Sequence, residues 1–275
     1  MPSSSPTEFP DEWNGPDRDA RSTMATAILL GIALASLAFG VVLAAAGSSA
    51  GFVYAALFAI VMALVAAFGV AVRVQRRPLA HAIRTTSADG RPATEICASR
   101  RQFILLVALM TTLAGTCVIG AVHLTLGQGM LVVSGLLAVF GLVGASFPVS
   151  ALLGRIRRGG VVLTERGVAQ RGWSFESSLT WAEIAGVKAA FNGHPVILLI
   201  GYANVAWSAG YTTRLWRVDR LPPVPMIEVD CRRFDVDRQA LYDYLACYAA
   251  NDDLRSELGS AAAVVRAERT RPYTT

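Results

Sequence analysis

Histidine, cysteine and lysine side chains supply most nucleophiles and soft metal ligands in proteins, and this chain has few of them. Its histidines and cysteines occur singly, without a Cys-x-x-Cys pair or a mixed Cys/His cluster, which argues against zinc and redox motifs. The only lysine, Lys188, lies outside any glycine-rich phosphate loop. The sequence therefore predicts no catalytic residue, no metal site, no cofactor and no enzymatic activity. The scattered residues are His81, His123, His194, Cys97, Cys117, Cys231 and Cys247.

Arginines and aromatic residues occur together in one stretch, residues 202–220. Aromatic rings and arginines beside a membrane can insert at the interface or bind anionic headgroups. The alternative is a long hairpin whose aromatic side chains pack across strands. Both interpretations remain open from the sequence. The candidate interfacial or ligand patch consists of Trp207, Arg214, Trp216, Arg217 and Arg220.

The distribution of charge divides the chain into two kinds of segment. Hydrophobic residues make up 53% of the 275 residues, and the mean hydropathy is +0.46. Residues 25–72 and 103–154 contain no Asp, Glu, Lys or Arg, so all charges fall in the remaining segments. This pattern excludes a purely soluble protein, a disordered protein and a disulfide-rich secreted scaffold.

Each uncharged block is too long to be a single membrane-spanning helix, since about 20 residues cross the hydrocarbon core. Glycine-rich breaks at 47–51 and 126–129 divide the blocks into four predicted spans. Because lipid cannot satisfy backbone amides, the spans must be helical, and they form two hairpins. The predicted spans are Ala25–Ala46, Phe52–Val72, Phe103–Thr125 and Met130–Leu153.

The arginines predict the orientation. Residues 73–102 carry seven arginines against Asp89 and Glu95, more arginines follow the last span, and the two tight turns carry no charge. The positive-inside rule places the basic loop 73–102, the C-terminal part and both termini in the cytoplasm. Cleavage after a signal peptide at Ala44–Ala46 is an alternative that would leave three spans. The arginines expected to contact headgroups are Arg73, Arg76, Arg77, Arg100, Arg101, Arg155, Arg157 and Arg158.

The spans lack the ionisable groups that transporters commonly use, since their only candidate is His123 near an outer end. Small residues recur at four-residue spacing, for example at Ser36-Gly40-Ala44, which allows close helix packing within the bundle or between subunits. A transporter subunit or small channel lined by small polar groups remains the alternative function.

The C-terminal part has short apolar runs separated by turn residues. Strands are predicted near 161–163, 168–173, 186–191, 195–202, 214–218 and 226–229, and Asn192-Gly193 predicts a hairpin turn. Asp235 or Asp237 caps a helix that runs to about Ala249, and Asp252 or Asp253 caps a short one that Gly259 closes. Residues 203–225 fit no standard strand pattern and are interpreted as an insertion.

Two stretches of the C-terminal part carry a resemblance to a known family. The stretch Leu163-Thr164-Glu165-Arg166-Gly167-Val168, followed by Trp181, Ile184 and Val187, resembles the opening of bacterial PH-like domains. The ending Leu241–Leu245 with Leu254–Gly259 is similar to the tails of actinobacterial membrane proteins that carry such a module. The resemblance implies a small β-barrel or sandwich capped by a C-terminal helix, and a binding or assembly role without catalytic residues.

These observations together predict a membrane α-helical protein with a cytosolic α+β PH-like domain at 160–259. Residues 1–24 are expected to form a disordered tail, and residues 260–275 a flexible one. The bias toward alanine, and toward arginine over lysine, suggests a bacterial genome, so the location is a bacterial plasma membrane. The expected partners are the bilayer with its anionic inner-leaflet lipids and a membrane protein or a second copy of this chain, and no nucleic acid.

Overall fold

The structure is a computed structural model that describes residues 13, 19–73, 77–205 and 207–270. These residues form two compact units. The helical unit contains residues 19–73 and 100–157, and the α+β unit contains residue 13 and residues 77–99 and 158–270.

The helical unit consists of two helical hairpins. Its helices are α1 (Asp19–Ala45), α2 (Ser49–Arg73), α3 (Arg100–Gln128) and α4 (Leu131–Leu152). Each contains an apolar stretch long enough to cross a membrane, and only 11–17% of each stretch is buried. Because the remaining apolar surface would be unfavourable in water, it fits a lipid environment. The four predicted spans are confirmed as helices of this length and composition.

Small residues allow the helices of each hairpin to approach closely. A side chain on Gly40 of α1 would lie 2.8 Å from Cβ of Ala55 in α2, and one on Gly141 of α4 would lie 2.8 Å from Val118 in α3. These glycines therefore pack helix against helix within the unit. The hydroxyls of Thr111, Thr112, Thr116, Ser146 and Ser150 each donate to a carbonyl three or four residues earlier in the same helix.

The α+β unit contains two antiparallel sheets. The larger has the strand order β1-β2-β3-β4-β5-β8, and the smaller has the order β6-β7-β9. The strands are β1 (Ile83–Ala88), β2 (Arg91–Cys97), β3 (Gly160–Thr164), β4 (Gly167–Arg171), β5 (Phe175–Thr180), β6 (Ile184–Phe191), β7 (Pro195–Gly201), β8 (Ser208–Tyr211) and β9 (Met226–Asp230). Among the described residues the sheets do not close into a barrel, so the barrel alternative is wrong, whereas the α+β class is confirmed.

The segment between the two helical hairpins is part of a sheet and not a simple basic loop. Its residues form the hairpin β1–β2, and β2 pairs with β3 in the register Ala93↔Thr164 to Cys97↔Gly160. The predicted loop 73–102 and the predicted domain 160–259 are therefore one folded unit. Ala93 and Ile96 of β2 are fully buried, which explains why the hairpin stays on the sheet.

Several predicted strands are confirmed and others are not. The strands near 161–163, 168–173, 186–191, 195–202 and 226–229 correspond to β3, β4, β6, β7 and β9. Asn192-Gly193 connects β6 to β7, with Gly193 at a φ of 72°. The strand predicted at 214–218 is wrong, since those residues form a loop, and β5 and β8 were not predicted.

Two helices follow the strands. Helix α5 (Arg238–Ala250) begins where the Asp237 carboxylate accepts a hydrogen bond from the Ala240 amide, at 2.9 Å, as the capping prediction required. Beyond the turn at Gly259, helix α6 (Ala261–Arg269) packs on the unit with Ala263 and Ala267 buried. The expectation of a flexible tail from residue 260 is therefore wrong as far as residue 270.

The N-terminal tail is also more ordered than predicted. The Trp13 ring is buried, and its Nε1 donates a hydrogen bond to the Ala190 carbonyl at 3.0 Å. Helix α1 already begins at Asp19. The other residues of the predicted disordered segment up to 18 lie outside the part of the chain that the structure describes.

One hydrophobic core joins both sheets and α5. It includes Val161 and Leu163 from the larger sheet, Ile197 and Leu199 from the smaller, and Leu241 from α5. Tyr244 and Tyr248 are also buried there, and burial raises the pKa of both phenols. The core therefore supports the surface loops described below.

Candidate functional site

Five of the predicted headgroup arginines belong to the helical unit, at the same end of its helices. The Arg73 guanidinium, at the end of α2, donates to the Thr26 hydroxyl near the start of α1, at 2.8 Å. Gln102 in the first turn of α3 donates to the Ala71 carbonyl near the end of α2, at 3.2 Å. Because the helices alternate in direction, this end also contains the end of α4. The arginines are Arg73, Arg100, Arg101, Arg155 and Arg157.

The other three predicted headgroup arginines do not belong to this cluster. Arg77 lies in the α+β unit, where its amide donates to the Asp235 carbonyl at 2.9 Å. The Arg158 side chain donates to the Ala98 carbonyl in the same unit. Arg76 lies outside the described residues.

The opposite end of the helical unit contains a polar pair that the sequence did not reveal. The Tyr54 hydroxyl and His123 Nδ1 are 2.8 Å apart, and the two rings are stacked with centroids 5.6 Å apart. They border an apolar cleft of about 630 Å³ between α2 and α3. His123, which the sequence places near the outer end of its span, is half-buried and is a partner of Tyr54. Sequence could not show this because the residues lie 69 positions apart.

The predicted aromatic and arginine patch is divided by the structure. Trp207 is half-buried against the hydrophobic core, which favours the packing interpretation for that residue. The other four members, Arg214, Trp216, Arg217 and Arg220, lie in the connection between β8 and β9. We call residues 212–221 of this connection the basic loop tip.

The basic loop tip is fixed at its base by a buried carboxylate. Asp219 is only 5% exposed, and it accepts a hydrogen bond from the Trp173 amide. The Arg233 guanidinium lies 2.6 Å from its other oxygen and 4.4 Å from the centre of the Trp173 ring. The Ser174 hydroxyl accepts from the Asp219 amide at 3.3 Å. Asp219 therefore has a structural role in holding the loop.

Hydrogen bonds also connect the two arms of the loop. The Thr213 hydroxyl donates to the Trp216 carbonyl at 2.8 Å, and the Tyr211 hydroxyl accepts from the Leu221 amide at 3.2 Å. The Arg217 guanidinium lies 4.7 Å from the centre of the Tyr211 ring. The arms cannot separate without losing these contacts.

A polar cleft beside this loop was not predicted from the sequence. It has a volume of about 440 Å³ and lies where β4, β9 and the loop meet. Its polar residues include Gln170, His194, Asp230 and Arg233, which come from distant parts of the chain. Gln170 donates through Nε2 to the Glu228 carbonyl at 2.6 Å and so bridges the two sheets.

Asp230 is the electrostatic centre of the cleft. Arg232 makes two hydrogen bonds to its carboxylate, at 3.1 and 3.0 Å, and His194 Nε2 lies 3.4 Å away. Burial lowers the pKa of His194, and the neighbouring Asp230 carboxylate only partly opposes this effect. The imidazole is therefore neutral near pH 7. The arrangement balances charges within the cleft and offers neither an activated nucleophile nor a set of metal ligands.

The cysteines show no sign of redox or metal chemistry in the described residues. None of the four forms a disulfide, Cys97 and Cys231 are buried, and no cluster of His, Cys, Asp or Glu in this part of the chain could hold a metal ion. Burial raises the pKa of Cys97, and it raises that of Cys231 to about 12. Neither thiol is a reactive thiolate at neutral pH.

Comparison with known proteins found no similarity: no protein-family model matches the chain, and no curated protein or solved structure matches it.

Proposed function

We propose that this chain is a multi-pass bacterial plasma-membrane protein that holds a PH-like α+β unit at the cytoplasmic face. The unit binds partners or helps to assemble complexes, and it does not catalyse a reaction. The observation that carries this proposal is the collection of arginines at one end of the four helices. The turns at the opposite end, 46–48 and 129–130, carry no charge. By the positive-inside rule, the arginine end is cytoplasmic.

The pairing of β2 with β3 supports the same topology independently of the arginines. Residues 91–97 precede α3 and residues 160–164 follow α4, yet they form one continuous ladder. Both segments must therefore lie on the same side of the membrane, which requires an even number of crossings between them. Helices α3 and α4 provide two. Since residues 77–99 also follow the arginine-bearing end of α2, the α+β unit lies on the arginine side.

The residues that resemble PH-like domains have structural roles, which supports a binding module rather than an enzyme. Trp181 is buried and donates from Nε1 to the Thr164 carbonyl at 2.8 Å. The Thr164 hydroxyl accepts from the Gly167 amide at 3.1 Å and closes the β3–β4 turn. Thr180 and Glu183 form a reciprocal capping box. These contacts explain the spacing of the motif without invoking any chemistry.

The mechanism follows from anchoring. Four spans and the arginines at their cytoplasmic end confine the unit to the inner surface of the membrane, next to anionic lipid. Confinement raises the effective concentration of the unit for other membrane proteins, or for a second copy of this chain, without any new contact. No nucleic-acid partner is needed to explain the positive charge.

Proximity labelling in the native cell tests this proposal. A promiscuous biotin ligase is fused to the C-terminus of the full chain, and the labelled membrane proteins are identified by mass spectrometry. The control carries Leu241→Asp, which places a charge in the fully buried core of the α+β unit and leaves the four spans unchanged. We expect a reproducible set of labelled proteins that the control loses.

Two results would contradict the proposal. The same labelled set with both chains would mean that the spans alone select the neighbours. Solute flux through the purified protein in liposomes, retained in the Leu241→Asp variant, would instead support a transporter subunit or channel.

A further inference from the structure

The tip of the loop between β8 and β9 presents apolar side chains to solvent. Leu215 is 64% exposed and Val218 is 39% exposed, and Trp216 between them is partly exposed. Arg214 and Arg217 alternate with these residues and are also exposed. Apolar residues that are exposed together and surrounded by polar groups often mark a contact with a protein or a membrane.

The loop cannot hide these side chains by folding back. Asp219 fixes its outgoing arm through Trp173, Ser174 and Arg233, as described above. The Thr212 amide donates to the Ser174 carbonyl at 2.9 Å and fixes its incoming arm. Both arms are therefore attached to the residues that precede β5. The fold therefore holds the tip of the loop in an exposed position.

The charge around the tip has a single sign. Residues 202–225 contain three arginines, Arg214, Arg217 and Arg220, and one acid, Asp219. Asp219 is buried and paired with Arg233, so the charged side chains that this segment exposes are all basic. A protein partner would have to supply an acidic surface with an apolar centre, whereas an anionic bilayer presents phosphates above hydrocarbon.

The rest of the chain provides such a bilayer. Under the proposed function the four apolar helices anchor this unit to a membrane, so lipid is close to the unit. Arginine and tryptophan are the side chains that combine an apolar body with a polar end at the membrane interface. The order Arg-Leu-Trp-Arg-Val at 214–218 places apolar and cationic groups next to each other, as interfacial insertion requires.

We infer that residues 214–218 insert into the interfacial region of an anionic bilayer and hold one edge of the α+β unit against it. Leu215, Trp216 and Val218 enter between the headgroups, and Arg214, Arg217 and Arg220 bind lipid phosphates. This inference rests on the proposed membrane location of the unit, but it concerns a second attachment that the helices do not provide.

Photocrosslinking in reconstituted full-length protein tests the inference. Benzoylphenylalanine replaces Leu215 in one chain and Val265 in a control chain. Val265 is a suitable control because it is 43% exposed, lies in α6 of the same unit and is not part of the basic loop tip. Both chains are placed in vesicles of phosphatidylcholine, alone or mixed with phosphatidylglycerol, and irradiated. We expect lipid adducts at position 215 in the mixed vesicles, and few at position 265.

Charge variants separate lipid binding from simple exposure. Arg214→Gln, Arg217→Gln and Arg220→Gln are combined in the chain with the probe at 215. The matched control combines Arg84→Gln, Arg91→Gln and Arg166→Gln, which removes the same charge from other exposed positions of the unit. Each basic residue near an anionic surface strengthens attachment roughly fivefold, so the first triple variant should lose at least about fivefold in adduct yield, and the control should not.

Three outcomes would overturn the inference: protein adducts instead of lipid adducts at 215, equal lipid adducts at 215 and 265, or equal effects of the two triple variants. These outcomes are independent of the cellular topology, since vesicles expose the unit to lipid in either orientation. A failure here therefore differs from a failure of the proposed function, which is measured in cells.

Discussion

At the scale of single residues, the chemistry of this molecule is carried by arginines and by buried groups that hold them. Sequence showed where the arginines lie along the chain, because charge can be read directly from residue type. It could not identify Asp219 as the partner of Arg233, since that contact joins the loop before β9 to the segment after β9 and forms only on folding. The same reason explains why the pairing of Tyr54 with His123 was missed.

Removing the carboxylate at position 219 should loosen the basic loop tip. Asp219→Asn keeps the size of the side chain but leaves the Arg233 charge without its closest partner. Because Arg233 is partly exposed, we expect a loss of roughly 1–3 kcal/mol, less than for a fully buried pair. Hydrogen exchange of residues 212–221 in the full-length protein should quicken.

A matched change elsewhere controls for the charge itself. Asp252→Asn removes the carboxylate of an ion pair with Arg255 whose acid is 84% exposed, so it should leave exchange at 212–221 unchanged. Equal exchange rates in wild type and Asp219→Asn would show that this carboxylate does not hold the loop.

Cysteine reactivity provides a second test at this scale. Burial raises the pKa of Cys231 to about 12 and also raises that of Cys97, so both thiols stay protonated and covered near pH 8. Cys247 on α5 is only half-buried. Site-resolved mass spectrometry after brief alkylation of the native full chain should find Cys247 modified and the two buried thiols intact.

The burial of Cys231 also predicts how its alkylation depends on pH. Alkylation of Cys231 should increase only above the ordinary thiol range, as the pH approaches about 12, provided that the protein remains folded. Rapid modification of Cys231 at pH 8 would mean that the core around it is open.

At the scale of elements, sequence predicted the apolar helices and the apolar strands and missed the polar ones. Long uncharged stretches and buried runs such as 195–201 have strong hydrophobic patterns. Strand β5 reads Phe-Glu-Ser-Ser-Leu-Thr, and β8 has no buried residue, so neither has such a pattern. The β1–β2 hairpin was missed because its arginines also fit a topology signal. Its place in the sheet depends on β3, more than sixty residues away.

The register of β2 against β3 can be tested by crosslinking. Glu95 is directly opposite Val162, and opposed residues in an antiparallel pair have Cα atoms about 4.5–5.5 Å apart, within the range of a disulfide. The variant Glu95→Cys with Val162→Cys should form this disulfide on mild oxidation, as identified by mass spectrometry.

A mismatched pair serves as the control for that experiment. Glu95→Cys with Arg166→Cys places the second thiol beyond the end of the ladder and should remain reduced. Failure of the first pair to crosslink, or equal crosslinking of both pairs, would contradict the pairing of the two segments.

Helix α6 offers a test of the corrected C-terminal boundary. Ala263 is fully buried and its carbonyl accepts from the Tyr244 hydroxyl at 3.1 Å, so Ala263→Glu should force the helix off the unit. Limited proteolysis should then cut after residue 259 more readily. The neighbouring Ala262 is exposed, and Ala262→Glu should have no effect. Equal cleavage of the two variants would instead support the flexible C-terminal tail that the sequence suggested.

At the scale of the whole molecule, one chain combines two kinds of unit. The helical unit has an apolar surface that suits lipid, and the α+β unit has a core of its own. The chain leaves the helices twice to build that second unit, which ties the topology of the spans to the pairing of its strands. The sequence predicted an apolar helical part and a charged α+β part, and it predicted their order along the chain. It could not show that the segment between the spans belongs to the C-terminal unit.

The membrane topology in living cells is the measurement that tests the proposed function most directly. Paired reporters, one fluorescent only in the cytoplasm and one active only in the periplasm, are inserted between Asp89 and Gly90 in the β1–β2 turn and, separately, after the C-terminus. A third insertion at Gly47, in the turn between α1 and α2, serves as the opposite-side control. We predict cytoplasmic signals at the first two sites and a periplasmic signal at the third. A periplasmic signal from either of the first two sites would contradict the central claim that the arginine end and the α+β unit face the cytoplasm.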